Sequence, residues 1–241
     1  MTRHRRRHRR LKRQRVGAGL LLTSALAMLA GMTDVIGLMM IGHYISFMSG
    51  NTTELAAALV GGDFASAALM MAILLVFVLG NTAGEVFIRL VKRNHVPLLF
   101  LISALIAMPM LAPGSMWAVL LTVLAMGMLN SGIEQIEGQA FGITFITGAL
   151  SRFGRGLGRY LMGERQGAWT FQIVPWAGMF AGALVGALAY QSLQENALLV
   201  PTVFNLFLGV VILLIPRHWR HSYVSPPRVR LARPAARPET R

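Results

Sequence analysis

The chain contains no cysteine, which removes disulfide frameworks, thiol nucleophiles and cysteine-based metal sites together. Charge is scarce too: 13% of 241 residues, where a soluble domain carries about 25%. Neither His-Glu-x-x-His nor Gly-x-Ser-x-Gly occurs, so the zincin and serine-hydrolase signatures are missing and no enzymatic role is expected. Of six histidines, His4, His8, His218 and His221 sit in or beside the termini, so neither a metal cluster nor a cofactor is expected. What fills the chain is apolar: 55% hydrophobic residues and a mean hydropathy of +0.58, a composition suited to lipid.

The net charge of +14 is unevenly placed. Residues 1–15 hold nine Arg/Lys and residues 217–241 hold seven Arg, leaving seven basic against eight acidic residues between 16 and 216. The basicity therefore lives in two arms. Basic arms beside apolar spans imply cytoplasmic ends in contact with anionic lipid headgroups. They lack interleaved aromatics or a recognisable module, so nucleic acid is not the expected partner.

After the arm, Val16 to Ile41 runs apolar apart from Asp34. Ala25-Leu26-Ala27 fits a small-x-small cleavage pattern, but the run continues far past it, and a retained signal anchor is the expectation. Five more apolar spans follow, at about 65–88, 97–112, 115–133, 168–190 and 197–215. Each approaches the ~20 residues needed to cross a bilayer. Loop charge sets orientation: the first arm, Arg89-Lys92-Arg93, four arginines in 152–165 and the last tail are basic. The linkers near Gly61-Gly62-Asp63, Pro113-Gly114 and 191–196 carry no Lys or Arg. The positive-inside rule makes the first set cytoplasmic, with both termini inside, and forbids the 43–61 segment a crossing of its own.

One stretch is nearly said twice. Phe47-Met48-Ser49-Gly50-Asn51 returns 98 positions later as Phe145-Ile146-Thr147-Gly148-Ala149. At the same offset Gly80 and Gly84 answer to Gly178 and Gly182, and at 96 Gly31-Met32-Thr33-Asp34 answers to Gly127-Met128-Leu129-Asn130. Two repeats, 16–112 and 113–216, follow, between a basic arm (1–15) and a basic tail (217–241). Three crossings per repeat is odd, so the second enters the membrane upside down. The expected fold is an all-α polytopic membrane protein: six transmembrane helices as two inverted three-helix repeats, each with a short re-entrant or broken segment.

Ser49 and Asn51 suit a helix N-cap and Gly50 an unusual turn just before it; Thr147-Gly148 precedes Ala149-Leu150 in the same way. Both motifs are read as helix starts facing the bundle interior. Asp34 is expensive inside an apolar run and must be protonated, paired or facing water; its counterpart Asn130 cannot ionise. That pairing of acid and amide suits a proton-coupled carrier, against a plain interhelical hydrogen bond. Glu85 and Arg89 fit an i,i+4 ion pair, with Asn81 one turn deeper toward the interior. Arg152, Arg155 and Arg159 share a helix face suited to lipid headgroups, with Arg152 close enough to Thr147 to meet an anionic ligand. His43 reads as structural, and Glu54 needs no special role.

These motifs resemble the YoaK-like family of bacterial inner-membrane proteins, whose domain has no settled function. The resemblance rests on Gly-x-x-Asp in the first span, Phe-x-Ser-Gly-Asn, the later Gly-x-x-Asn and Thr-Gly-x-Leu, and covers 16–216. It implies a multi-pass protein of the bacterial inner (plasma) membrane. The family usually has Thr where Ser49 stands, often Gln where Leu129 stands, and a second Thr at Ala149. The leading expectation is a transporter or channel for an unidentified small solute. Its central site would draw on Asp34, Ser49, Gly50, Asn51, Asn81, Asn130, Thr147, Gly148 and Arg152. The alternative is a non-transporting membrane scaffold or sensor acting through the basic tails.

Overall fold

The computed structural model describes residues 3–92, 94–111, 115–131, 146–164 and 169–214. The side chains of the basic arm, Arg93, the Pro113-Gly114 linker with the repeat boundary, Phe145, Arg165 and the 217–241 tail lie outside the described residues. Eight α-helices are present among those described, and no strand: α1 (Arg3–Ile41), α2 (Met48–Gly61), α3 (Phe64–Leu90), α4 (His95–Ala107), α5 (Met116–Ser131), α6 (Ile146–Leu161), α7 (Ile173–Leu193) and α8 (Leu199–Leu214).

Local sequence accounts for most boundaries. Pro97, Pro175 and Pro201 each stand third in α4, α7 and α8, in the first turn where a missing N–H breaks no helical bond. Asp63 caps α3 by accepting from the Ser66 amide at 3.0 Å, and Asn94 caps α4 through the Val96 amide at 3.3 Å. Gly62, at φ +74°, ends α2 in the left-handed region. Pro109 falls inside the 3-10 turn Met108–Leu111 that follows α4, where the helix ladder has already tightened. The expected ion pair of Glu85 with Arg89 is present.

Three stretches are long and apolar enough to cross a membrane: Gly19–Ile41, Phe64–Leu90 and Trp169–Asn196. Shorter apolar helices span His95–Leu111, Met116–Ser131 and Leu199–Leu214. Burial separates the long ones. In α1, 56% of the apolar window is covered by protein, against 22% and 28% around α3 and α7. So α1 is central, packed through Leu26, Leu29, Met32 and Ile36, with α4 and α5 supplying Leu98, Ile102, Val123 and Met126. α3 and α7 keep wide apolar faces outward, as a lipid-facing helix must.

Glycine seams join the helices backbone to backbone. Gly178 lies against Ser24, Gly182 against Met28 and Gly186 against Met32, so α1 and α7 run parallel. Gly80 lies against Leu124 and Gly84 against Met128, so α3 and α5 also run parallel. α4 and α8 cross in opposite senses: Asn205 reaches Ser103, while Gly209, one turn later, meets Leu99, one turn earlier. Without a large apolar driving force between helices in lipid, such close approach is what holds a bundle together.

The two parallel pairs are built alike. Gly31 faces the Met179 carbonyl and the Ala183 amide; Gly127 faces the Phe77 carbonyl and the Asn81 amide. Gly31 and Gly127 are 96 positions apart, as the sequence suggested. Phe77 and Met179, and Asn81 and Ala183, are 102 apart. Gly80 and Gly84 thus answer by contact to Gly182 and Gly186, one turn beyond the 98-residue match. Glycines every fourth residue in α7 make the two registers indistinguishable by eye, and only the packing chooses.

Candidate functional site

At the end of α1 the chain turns back on itself. Gly42, at φ +78°, takes the left-handed conformation and bonds its amide to the Leu38 carbonyl at 3.0 Å. Residues 43–47 then descend along α1, with Ile45 seated against Gly37, where a side chain would collide. They reach the level of Asp34, about 10 Å back from the helix end at 1.5 Å per residue. Non-helical backbone in an apolar bundle needs a partner for every polar group. Asp34 and Asn51 supply them.

Asp34 Oδ1 accepts from the Ile45 amide at 2.9 Å and the Ser46 amide at 2.5 Å, and Oδ2 accepts from the Ser46 hydroxyl at 2.8 Å. The Asn51 side chain, fully buried, clasps residue 44 from the other side: Nδ2 donates to the Tyr44 carbonyl at 2.8 Å, and Oδ1 accepts from its amide at 3.3 Å. Aspartate at 51 would lack the donor, and glutamine would overshoot. His43 Nδ1 meets Glu54 Oε2 at 3.0 Å, tying the same turn to α2, so Glu54 does have a role.

The capping expectation is corrected here. α2 begins at Met48, its N-cap is Phe47, and no side chain caps it. Ser49, Gly50 and Asn51 lie inside the first turn, not before it. Gly50 is helical; a side chain there would strike the rings of Phe47 and Tyr44, which pack edge to face at 5.2 Å. The left-handed turn belongs to Gly42. In the second half α6 starts at Ile146, so Thr147 and Gly148 are likewise helical.

The two helix starts share a cavity of about 530 Å³. Ala30 and Asp34 form one wall, Ser46 to Ser49 a second, and Ile146, Thr147, Gly148 and Leu150 a third. Phe77 from α3 and Trp176 and Met179 from α7 complete it. The volume falls within the range of small-molecule pockets. Asp34, Ser49, Thr147 and Gly148 are thus brought together. Gly50 and Asn51 stand behind the wall that they shape.

Three further expected residues, Asn81, Asn130 and Arg152, do not line this cavity either. Asn130 Nδ2 donates to Asn81 Oδ1 at 3.0 Å, a pair that joins α5 to α3. Arg152 Nε donates to Gln172 Oε1 at 2.8 Å and stays off the cavity wall, so the expected reach toward a ligand at Thr147 is not made. Sequence reading also missed Ser46, Phe77, Trp176 and Met179. Only the 102-residue correspondence of Phe77 with Met179 marks two of them, and the 98-residue register hid it.

The comparisons with known proteins agree on family. A model described as "Protein of unknown function (DUF1275)" matches residues 22–211. The chain is similar to "UPF0700 transmembrane protein RA0705" of Rhizobium meliloti (strain 1021), at 49% identity over 220 residues, covering 91% of this chain and 97% of that one. No solved structure matches. With its apolar helices and a transmembrane relative matched along nearly its whole length, this chain is a membrane protein, and it belongs to the DUF1275 family of proteins of unknown function, as the YoaK-like resemblance implied.

Proposed function

We propose that this protein is a transporter or channel for a small solute, with its site between two inverted repeats. The observation that carries the reading is the cavity walled jointly by the Ser46–Ser49 turn, the Ile146–Gly148 helix start and Asp34. In this reading α1, α3, α4, α5, α7 and α8 cross the membrane and α2 and α6 do not. Six alternating crossings require α1 and α7 to point one way, α3 and α5 the other, and α4 and α8 to oppose each other. The packing directions described above support that pattern, and the matched contacts of Gly31 and Gly127 support an inverted repeat. The 16-residue α5 would reach only about 24 Å, and its deep burial keeps it from needing to match a full ~30 Å lipid core by itself.

Loop charge supports a cytoplasmic side for both termini, and the family resemblance supports a bacterial inner membrane, with the α6 arginines and the tails against anionic headgroups in this reading. Asp34 makes proton coupling part of the proposal, because it is the one ionisable group on the cavity wall among the described residues. The function is passage rather than chemistry. A second reading, a membrane scaffold or sensor, is favoured by the 16 of 23 basic residues held in the two tails.

Solute uptake by proteoliposomes, screened with and without an imposed pH gradient, tests this. Gradient-driven uptake that Asp34→Asn abolishes, while exchange at equilibrium survives, is the expected result. Uptake by Asp34→Asn with an unchanged gradient response ends proton coupling at Asp34; absence of any flux across a broad solute screen favours the scaffold.

A further inference from the structure

We propose that the cavity is selective for small organic cations, amine or quaternary ammonium compounds with an apolar body. The inference rests on the transport reading for its purpose, but its evidence is the chemistry of the wall. Among the described residues Asp34 is the one ionisable side chain that lines the cavity, and no described Lys, Arg or His does. Arg152, the base nearest in sequence to Thr147, is turned to Gln172 and offers no counter-charge to an anion. An anionic solute would therefore meet a carboxylate, and among the described residues only the partial charge of two helix starts would offset it.

Every donor that reaches this carboxylate is a neutral backbone amide or hydroxyl, so its charge has no counter-ion among the described residues. Oδ1 takes two amides and Oδ2 takes one hydroxyl, with the Phe47 amide also turned toward the carboxylate. Asp34 is 5% exposed and lines the cavity, so the cavity is the natural route for a ligand to reach it. An intramembrane carboxylate of this kind is a ready counter-ion for a bound ligand.

The rest of the wall suits a cation's body. Phe47, Phe77 and Trp176, aromatic residues from three different segments, line it together with Met48 and Met179, and the Trp176 ring is stacked on Phe180 at 5.5 Å. Aromatic faces attract an ammonium group and hold an apolar chain equally well. The starts of α2 and α6 carry partial positive charge and oppose a cation set against them. The cation therefore sits on the Asp34 and aromatic side, with any hydroxyl or carbonyl of the solute toward Ser49 and Thr147. A volume of about 530 Å³ is far larger than a bare metal ion needs.

Three near-isosteres that differ in charge test the proposal: 2-phenylethylamine, 2-phenylethanol and 3-phenylpropanoate. Binding is measured by equilibrium dialysis on the full chain in nanodiscs of zwitterionic lipid, with empty nanodiscs subtracted. The amine should bind at least roughly tenfold more tightly than the alcohol, and the carboxylate should not bind. Asp34→Asn should lose roughly tenfold or more for the amine and leave the alcohol unchanged. Trp176→Leu tests the same claim independently of Asp34, and should weaken the amine more than the alcohol. Equal binding of alcohol and amine, tighter binding of the carboxylate, or no amine binding at millimolar concentration overturns it. So does amine affinity that neither variant changes. Amine binding without flux would defeat the transport reading and keep the ligand class; flux of anions in preference to amines would do the reverse.

Discussion

Asp34 and Asn51 solve one problem between them, which is how to break a helix inside an apolar bundle without orphaning its backbone. Their consequences under substitution differ by chemistry rather than by size. Asp34→Asn can keep all three contacts: its carbonyl oxygen accepts from the Ile45 and Ser46 amides, and its Nδ2 donates to a Ser46 hydroxyl that rotates to accept. Its unfolding free energy in detergent should lie within about 1 kcal/mol of the parent. Asp34→Ala strands two buried amides, each costing about 1–3 kcal/mol, and should lower stability by about 2–6 kcal/mol in the same assay. Equal stability of the alanine variant would mean that Asp34 does not hold the turn. Asn51→Asp sets a carboxylate oxygen against the Tyr44 carbonyl and should cost at least about 2 kcal/mol, with the thermal unfolding midpoint as the check.

At the scale of helices, the glycines divide into two classes that react oppositely to an added methyl. Gly182 and Gly80 are pressed on the carbonyls of Met28 and Leu124, so a Cβ forces the pair apart. Gly182→Ala and Gly80→Ala should each destabilise by about 1–3 kcal/mol through overpacking. Gly154, on α6, has open space around its Cβ position. Gly154→Ala should stabilise by about 0.5–1 kcal/mol, because only the backbone-entropy term of helix glycine remains. Thermal unfolding of the three variants side by side checks both signs; a stabilised Gly182→Ala would contradict the packed seam. The same seam shows where sequence reading ran short. Gly178, Gly182 and Gly186 recur every four residues, so a slip of one turn reproduces the pattern, and the register is settled only by which backbone each glycine touches.

For the whole molecule, the natural absence of cysteine makes topology measurable in the otherwise unaltered chain. Single cysteines at Asp63 and Gln194 should react with an impermeant maleimide applied to intact cells. Those at Asn94 and Glu164 should react only after permeabilisation. Labelling of Asn94 from outside would give the 43–61 segment a crossing of its own and overturn the proposed six-crossing arrangement. Labelling of Gln194 only from inside would place the α7–α8 connection on the cytoplasmic side, with the same effect.

The amino-acid sequence by itself determined that this protein lives in a membrane and which stretches are helical. Long apolar runs, loop charge and the near-repeat around Ser49 and Thr147 are properties that a linear chain displays without folding. It also marked Asp34, because one carboxylate in an apolar run stands out against its neighbours. What it could not show is that Asp34 spends three of its acceptor positions on residues 45 and 46, or that Asn51 is a clasp rather than a helix cap. Those roles depend on a chain reversal at Gly42, and a reversal brings together residues whose spacing has no periodicity to read. The cavity was decided at the same level: Phe77 and Trp176 line it with Asp34 because parallel glycine seams set the depth of α3 and α7, and that depth is a fact of packing.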